Sequence, residues 1–127
     1  MKLLAVAALL VPLGFSQTDD CDTLDKCVAA LKTNRRSSLI NFRIAEFHFQ
    51  SRSYMNSANE FRESLSGDLQ PRWTLVWSYV NLGKIYDVTG QRERALNEYR
   101  QALRTKDNTR GALDQANKYI ESPYKPE

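Results

Sequence analysis

Histidine and cysteine are nearly missing: the 127 residues hold one of the first, His48, and two of the second, Cys21 and Cys27. One histidine excludes a histidine pair on a metal ion, and two thiols without a histidine nearby make a poor ligand set. The thiols also lack the two-residue spacing that disulfide oxidoreductases use. There is no Gly-rich phosphate loop, no nucleophile elbow and no closely spaced ligand cluster. Charge of one sign is scarce as well. The formal net charge is +3, and Arg92, Arg94, Arg100, Arg104 and Arg110 are interleaved with acids rather than gathered into a basic patch, so no nucleic-acid partner is expected. His48 lies among Ile44, Phe47 and Phe49, the setting of a packed histidine. Glu60 and Glu63, three apart around Phe61 and Arg62, read as a solvated helix face and not as an acid–base pair. These absences argue against an enzyme, with no cofactor and no metal expected.

With 42% hydrophobic and 26% charged residues, the chain has the composition of one modest folded domain. The only long apolar run opens it. Lys2 precedes Leu3 to Val11, followed by Pro12, Gly14, Phe15 and Ser16, which reads as an export signal over residues 1–16 cut between Ser16 and Gln17. A buried first helix is the alternative. The run is apolar all round and short for a bilayer span, so the mature chain is expected to be exported, periplasmic or extracellular, without stable membrane insertion. Thr18, Asp19 and Asp20 before Cys21 are unlike a lipid-attachment site.

The most patterned stretch runs from Val76 to Thr109. Tyr79, Leu82 and Tyr86 share one helical face, and Gly83 removes a side chain where a second helix must come close. Ala95 and Ala102, seven apart, are the small partners of that approach, with Leu96, Tyr99 and Leu103 around them. Gly90, between the two helices, suits a left-handed C-cap. These residues resemble the tetratricopeptide repeat, whose helix-turn-helix unit of about 34 residues places aromatic, Leu-Gly, Tyr, Ala and aromatic positions at these offsets. Tyr79 stands where Trp is most frequent in that pattern, and Asp107 where Pro is usual. The resemblance implies an all-α fold, a right-handed superhelical stack of antiparallel helix hairpins.

Taken in order, residues 17–36 form an acidic segment and a short helix from Leu24 to Leu31, capped by Asp22 or Thr23, with Leu24, Cys27, Val28 and Leu31 on one stripe. Cys21 lies just before that helix and Cys27 about one turn inside, so a local disulfide between them is open in an oxidising compartment. Residues 38–71 read as a degenerate hairpin: a helix from Ser37 or Ser38 to Gln50, a turn at Arg52 to Tyr54, and a return helix from Met55 to Leu65. Aligned to the repeat, Ser57 and Ser64 take the small positions and Phe61 the aromatic one. Residues 72–109 form the main hairpin. Pro71 is placed as the first residue of its extended first helix, where Trp73 and Trp77 add aromatic surface at one rim. Asn108 or Thr109 caps a last helix, residues 110–122, that covers the end of the stack; 123–127 are a tail.

In proteins with this repeat the first helix of each hairpin lines the concave surface. The resemblance therefore implies a partner-binding face made of Leu39, Phe42, Glu46 and Phe49, then Trp77, Val80, Asn81, Lys84 and Asp87. The repeat-packing set is Tyr79, Leu82, Gly83, Tyr86, Ala95, Tyr99, Ala102 and Phe61. Of the Lys, Asn and Arg clamp that chaperone-binding members use for a terminal carboxylate, only Asn81 is matched. A non-catalytic module that binds a peptide or protein segment is the expected function. Two other readings stay open: the first helix covers Leu39 and Phe42, or the aromatics drive homo-oligomerisation of a structural subunit.

Overall fold

The computed structural model describes residues 21–127, and the export signal with its cut after Ser16 lies outside the described residues. Those residues are all-helical: α1 (Leu24–Thr33), α2 (Ser38–Gln50), α3 (Tyr54–Leu65), α4 (Trp73–Val88), α5 (Arg92–Arg104) and α6 (Ala112–Glu121). Local chemistry starts several of them. The Thr23 side chain accepts the Lys26 amide at 3.2 Å to cap α1, and Ser37 Oγ accepts the Ile40 amide at 3.1 Å to cap α2. Gly90, with φ 75°, follows the end of α4 in the left-handed conformation expected of it. Pro71 differs from expectation: it lies outside α4, which starts at Trp73, and the Gln70–Pro71 bond is cis. A 3-10 turn, Thr109–Gly111, precedes α6, and Asn108 Oδ1 accepts the amides of Leu113 and Asp114 at 2.9 and 3.3 Å.

α2 pairs with α3 and α4 with α5; α4 also meets α3, α6 and α2, which makes it the central element. Each hairpin closes by a different device. Between α4 and α5, a Cβ on Gly83 would lie 2.3 Å from the Tyr99 ring, so the bare backbone there is required by the ring. Tyr99, Ala95 and Ala102 are fully buried against it. Between α2 and α3, buried serines replace the alanines and are tied to the facing backbone. Ser57 Oγ donates to the Ala45 carbonyl at 2.7 Å, and Ser64 Oγ donates to the Ser38 carbonyl at 2.8 Å. A serine thus keeps the helices close without leaving its hydroxyl unpaired.

Cys21 and Cys27 form a disulfide with Cα atoms 5.1 Å apart. They join Ile40 and Ile44 in a small cluster separate from the main core, with Leu24, Ala30, Leu31 and Phe47 around it. One expectation for α1 is thereby corrected, and one open reading is closed for Phe42. Val28 is 44% exposed, off the buried stripe, because the disulfide orients the helix on Cys27. And α1 packs on the Ile40–Ile44 face of α2, so it does not cover the face that carries Phe42.

Candidate functional site

α4 forms the floor of a groove walled by α2 and, on the other side, by the 3-10 turn. A cavity of ≈ 290 Å³ opens there, lined by Phe42, Arg43, Glu46, Trp73, Trp77, Asn81, Lys84 and Arg110. Trp73 meets Phe42 edge-on, with ring centroids 5.1 Å apart, and the guanidinium carbons of Arg43 and Arg110 lie 5.8 and 5.3 Å from its centre. Trp77 is held by its indole N–H, which donates to the Thr109 carbonyl at 3.0 Å. Arg43 pairs with Glu46 at 3.0 Å. The lining therefore combines two indoles with three cations and one carboxylate.

Lys84 lies at the centre of the groove. Its ammonium nitrogen lies 5.8, 5.6 and 5.4 Å from the ring centres of Trp77, Tyr119 and Tyr124. The rings attract the cation, but the loss of water around it outweighs that attraction. Burial, helped by the nearby Lys118 cation, pushes the Lys84 amine down from its ordinary value to about 8.

The expected partner-binding residues divide into three groups. Glu46, Trp77, Asn81 and Lys84 line the cavity and are partly accessible. Leu39 and Phe49 are half-buried but do not line it; Phe49 packs on Tyr54 and Tyr124. The third group is Phe42, Val80 and Asp87, whose side chains the fold itself engages; Val80, buried and away from the cavity, corrects the expectation. Phe42 and Val80 are 3% and 0% exposed, because α4 packs on α3 and α2 through them; both belong to the core, and Phe42 also edges the cavity. The Asp87 side chain is wholly buried, and its oxygens are taken by three groups of the same chain. It accepts from Arg92 at 3.0 Å and from the Tyr99 hydroxyl at 2.7 Å, and it takes the backbone amide of Tyr124 at 2.9 Å. Burial first, and then that carboxylate, drive the Tyr99 phenol far above its ordinary range. Of the packing set, all are buried except Tyr79, which is half-buried.

Residue patterns missed Arg43, Arg110, Tyr119 and Tyr124 as members of the site. Arg43 had a local signal, its helical spacing to Glu46. Arg110 and Tyr124 had none, since each reaches the groove from a segment that is distant in sequence. Glu63 is exposed as expected of a solvated face, but Glu60 is half-buried. Its Oε2 is buried without a hydrogen-bond partner among the described residues, and burial pushes its carboxyl up, partly countered by His48. Among the described residues no three His, Cys, Asp or Glu side chains are grouped as metal ligands, and no helix is long and apolar enough to cross a membrane. No family model, no curated protein and no solved structure matches this chain.

Proposed function

We propose that this chain is an exported, non-catalytic protein–protein interaction module of tetratricopeptide-like hairpins, and that it binds an extended segment of a partner protein in the groove over α4. The observation that carries the reading is the lining of the groove. Two indoles and three cations flank one solvent-open cavity, whereas Asp87 and the buried serines are occupied within the fold. Indoles anchor a partner by desolvated contact, and guanidinium and ammonium groups favour acidic or carboxylate-bearing segments. A repeat fold with this concave face would present such a surface along its inner helices.

Photo-crosslinking tests it. A photoreactive residue at position 46 or 81 of the full chain, expressed in its producing cell, should yield an adduct with a different protein that is absent when the probe replaces exposed Arg100. The Arg110→Glu change should cut that adduct at least fivefold. Equal adducts from position 100, or adducts only between copies of this chain, would overturn the reading. The second reading, a structural subunit that self-associates, is favoured by one feature. Met55 is 82% exposed beside a mostly apolar cavity of ≈ 370 Å³ that Tyr54, Ile85 and Tyr86 also line. Solution mass measured across a concentration range separates the two.

A further inference from the structure

The chain itself covers the end of α4 beside the cavity, with Lys84 shared between the two. Beyond Glu121 the backbone turns extended, with Ser122 at φ −145° and ψ 126°. Pro123 and Pro126 hold it so, because each disfavours helix at the residue before it and offers no amide of its own. This tail runs back over α4. The Tyr124 amide donates to Asp87 Oδ2 at 2.9 Å, and the Tyr124 ring stands 5.2 Å from that of Tyr119 and 6.2 Å from that of Phe49. Arg52 donates to the main-chain oxygen of Glu127 at 3.4 Å. The contacting groups come from α2, α4, α6 and the α2–α3 turn, so this is a site assembled by the fold and not a local turn.

Every one of these contacts is of a kind that a separate peptide can make: a backbone amide on a buried carboxylate, an aromatic ring between rings, a cation on its face. None depends on the covalent link to α6. The tail is also lightly held. Tyr124 is only half-buried, and Ser122, Pro123, Lys125, Pro126 and Glu127 are exposed. A short segment held by one ring, one amide and one long bond from Arg52 opens at low cost.

Resting on the reading of the groove as a partner site, we propose that its ligand is an extended peptide segment bearing an aromatic side chain, and that residues 122–127 occupy that ligand's subsite as a tethered stand-in. The Phe49–Tyr119–Lys84 pocket receives the partner's aromatic ring, and Asp87 receives the amide of the same residue. Lys84 joins this subsite to the open cavity at Trp77, so a partner segment that displaces Tyr124 continues towards Arg43 and Arg110. The tether competes as a high local concentration of ligand and scales the apparent affinity down to the fraction of time the subsite is open.

The probe is a fluorescent peptide with the sequence of residues 122–127, read by anisotropy against the full chain. The Tyr124→Ala chain should bind it at least tenfold more tightly than the wild type does. The same peptide with alanine for tyrosine should not bind, and adding Lys84→Met to the Tyr124→Ala chain should weaken binding at least threefold. Equal binding by wild type and variant overturns the proposal, as does no binding to a variant that keeps wild-type helicity. Should Tyr124→Ala not fold, hydrogen exchange on the wild type decides. Saturating peptide should speed exchange at the Tyr124 amide, and an unchanged rate overturns the proposal. A mass that rises with concentration in the wild type and falls to monomer in the variant assigns the subsite to a second copy's tail and overturns the partner assignment. If the peptide fails while crosslinks from position 46 persist, the tail is merely structural and the groove reading stands.

Discussion

Lys84 concentrates the energetics of the groove in one side chain. In the unfolded chain its amine titrates near 10.5, and in the fold near 8. The folded state therefore binds the proton less readily, and stability rises as pH climbs from about 8 towards 10.5; below 8 both states are charged and the cost is constant. Lys84→Met, close in shape and without charge, should stabilise the chain at pH 7 by on the order of 1–3 kcal/mol and flatten the slope between pH 8 and 10.5. Urea unfolding at pH 7 and pH 10 measures both; an unchanged slope would show that the amine is solvated. Tyr124→Ala should move the Lys84 titration upward, as followed by NMR of the side chain, because the tail contributes to its desolvation. Lys84 was legible as a groove residue from its place on a first helix. Its depressed amine was not, since two of the three rings around it arrive from beyond residue 118.

At the scale of elements, the second hairpin is set by one contact between a glycine and a ring. Gly83→Ala puts a methyl carbon into the Tyr99 ring, which is wholly buried and tied to Asp87, so neither partner can yield cheaply. The cost should be about 1–3 kcal/mol of overpacking, seen as a lower midpoint in urea with helicity retained in water. A neutral Gly83→Ala would mean that α4 and α5 slide apart freely. This contact was readable in advance, because Gly and Ala at fixed helical offsets admit few purposes other than close approach. The first hairpin was harder to read. Serines at its small positions say nothing about their hydroxyl partners, which are carbonyls of the facing helix up to 26 residues away. The start of α4 was misplaced for a similar reason. Pro at a first helical position is a statistical preference, and here the connector from Gly67 to Pro71 is instead fastened to α2, with Asp68 accepting the Ser38 amide at 3.1 Å.

Over the whole molecule, two cores divide the work. The disulfide and α1 sit in the smaller cluster at one end, and the groove belongs to the larger. Replacing both cysteines by serine should cost about 2 kcal/mol, as expected for a short closed loop, and leave peptide binding in the groove unchanged. Loss of that binding in the serine variant would show that α1 supports the groove after all. What the sequence by itself determined was local: which segments are helices, where they cap, which faces are small or aromatic, and that a thiol pair lay within bridging reach. Helical spacing and capping act over a few residues, so they are written in the order of the chain. The packing of the helices decided that Val80 is consumed by the core and Phe42 nearly so, that α1 packs away from the face of Phe42, and that Tyr124 sits on Asp87 and Lys84. Those outcomes join Asp87 to a residue 37 positions away and Arg52 to one 75 away. Contacts at such separations follow from how the helices stack and where the last one points the chain, and no spacing rule along the sequence encodes that.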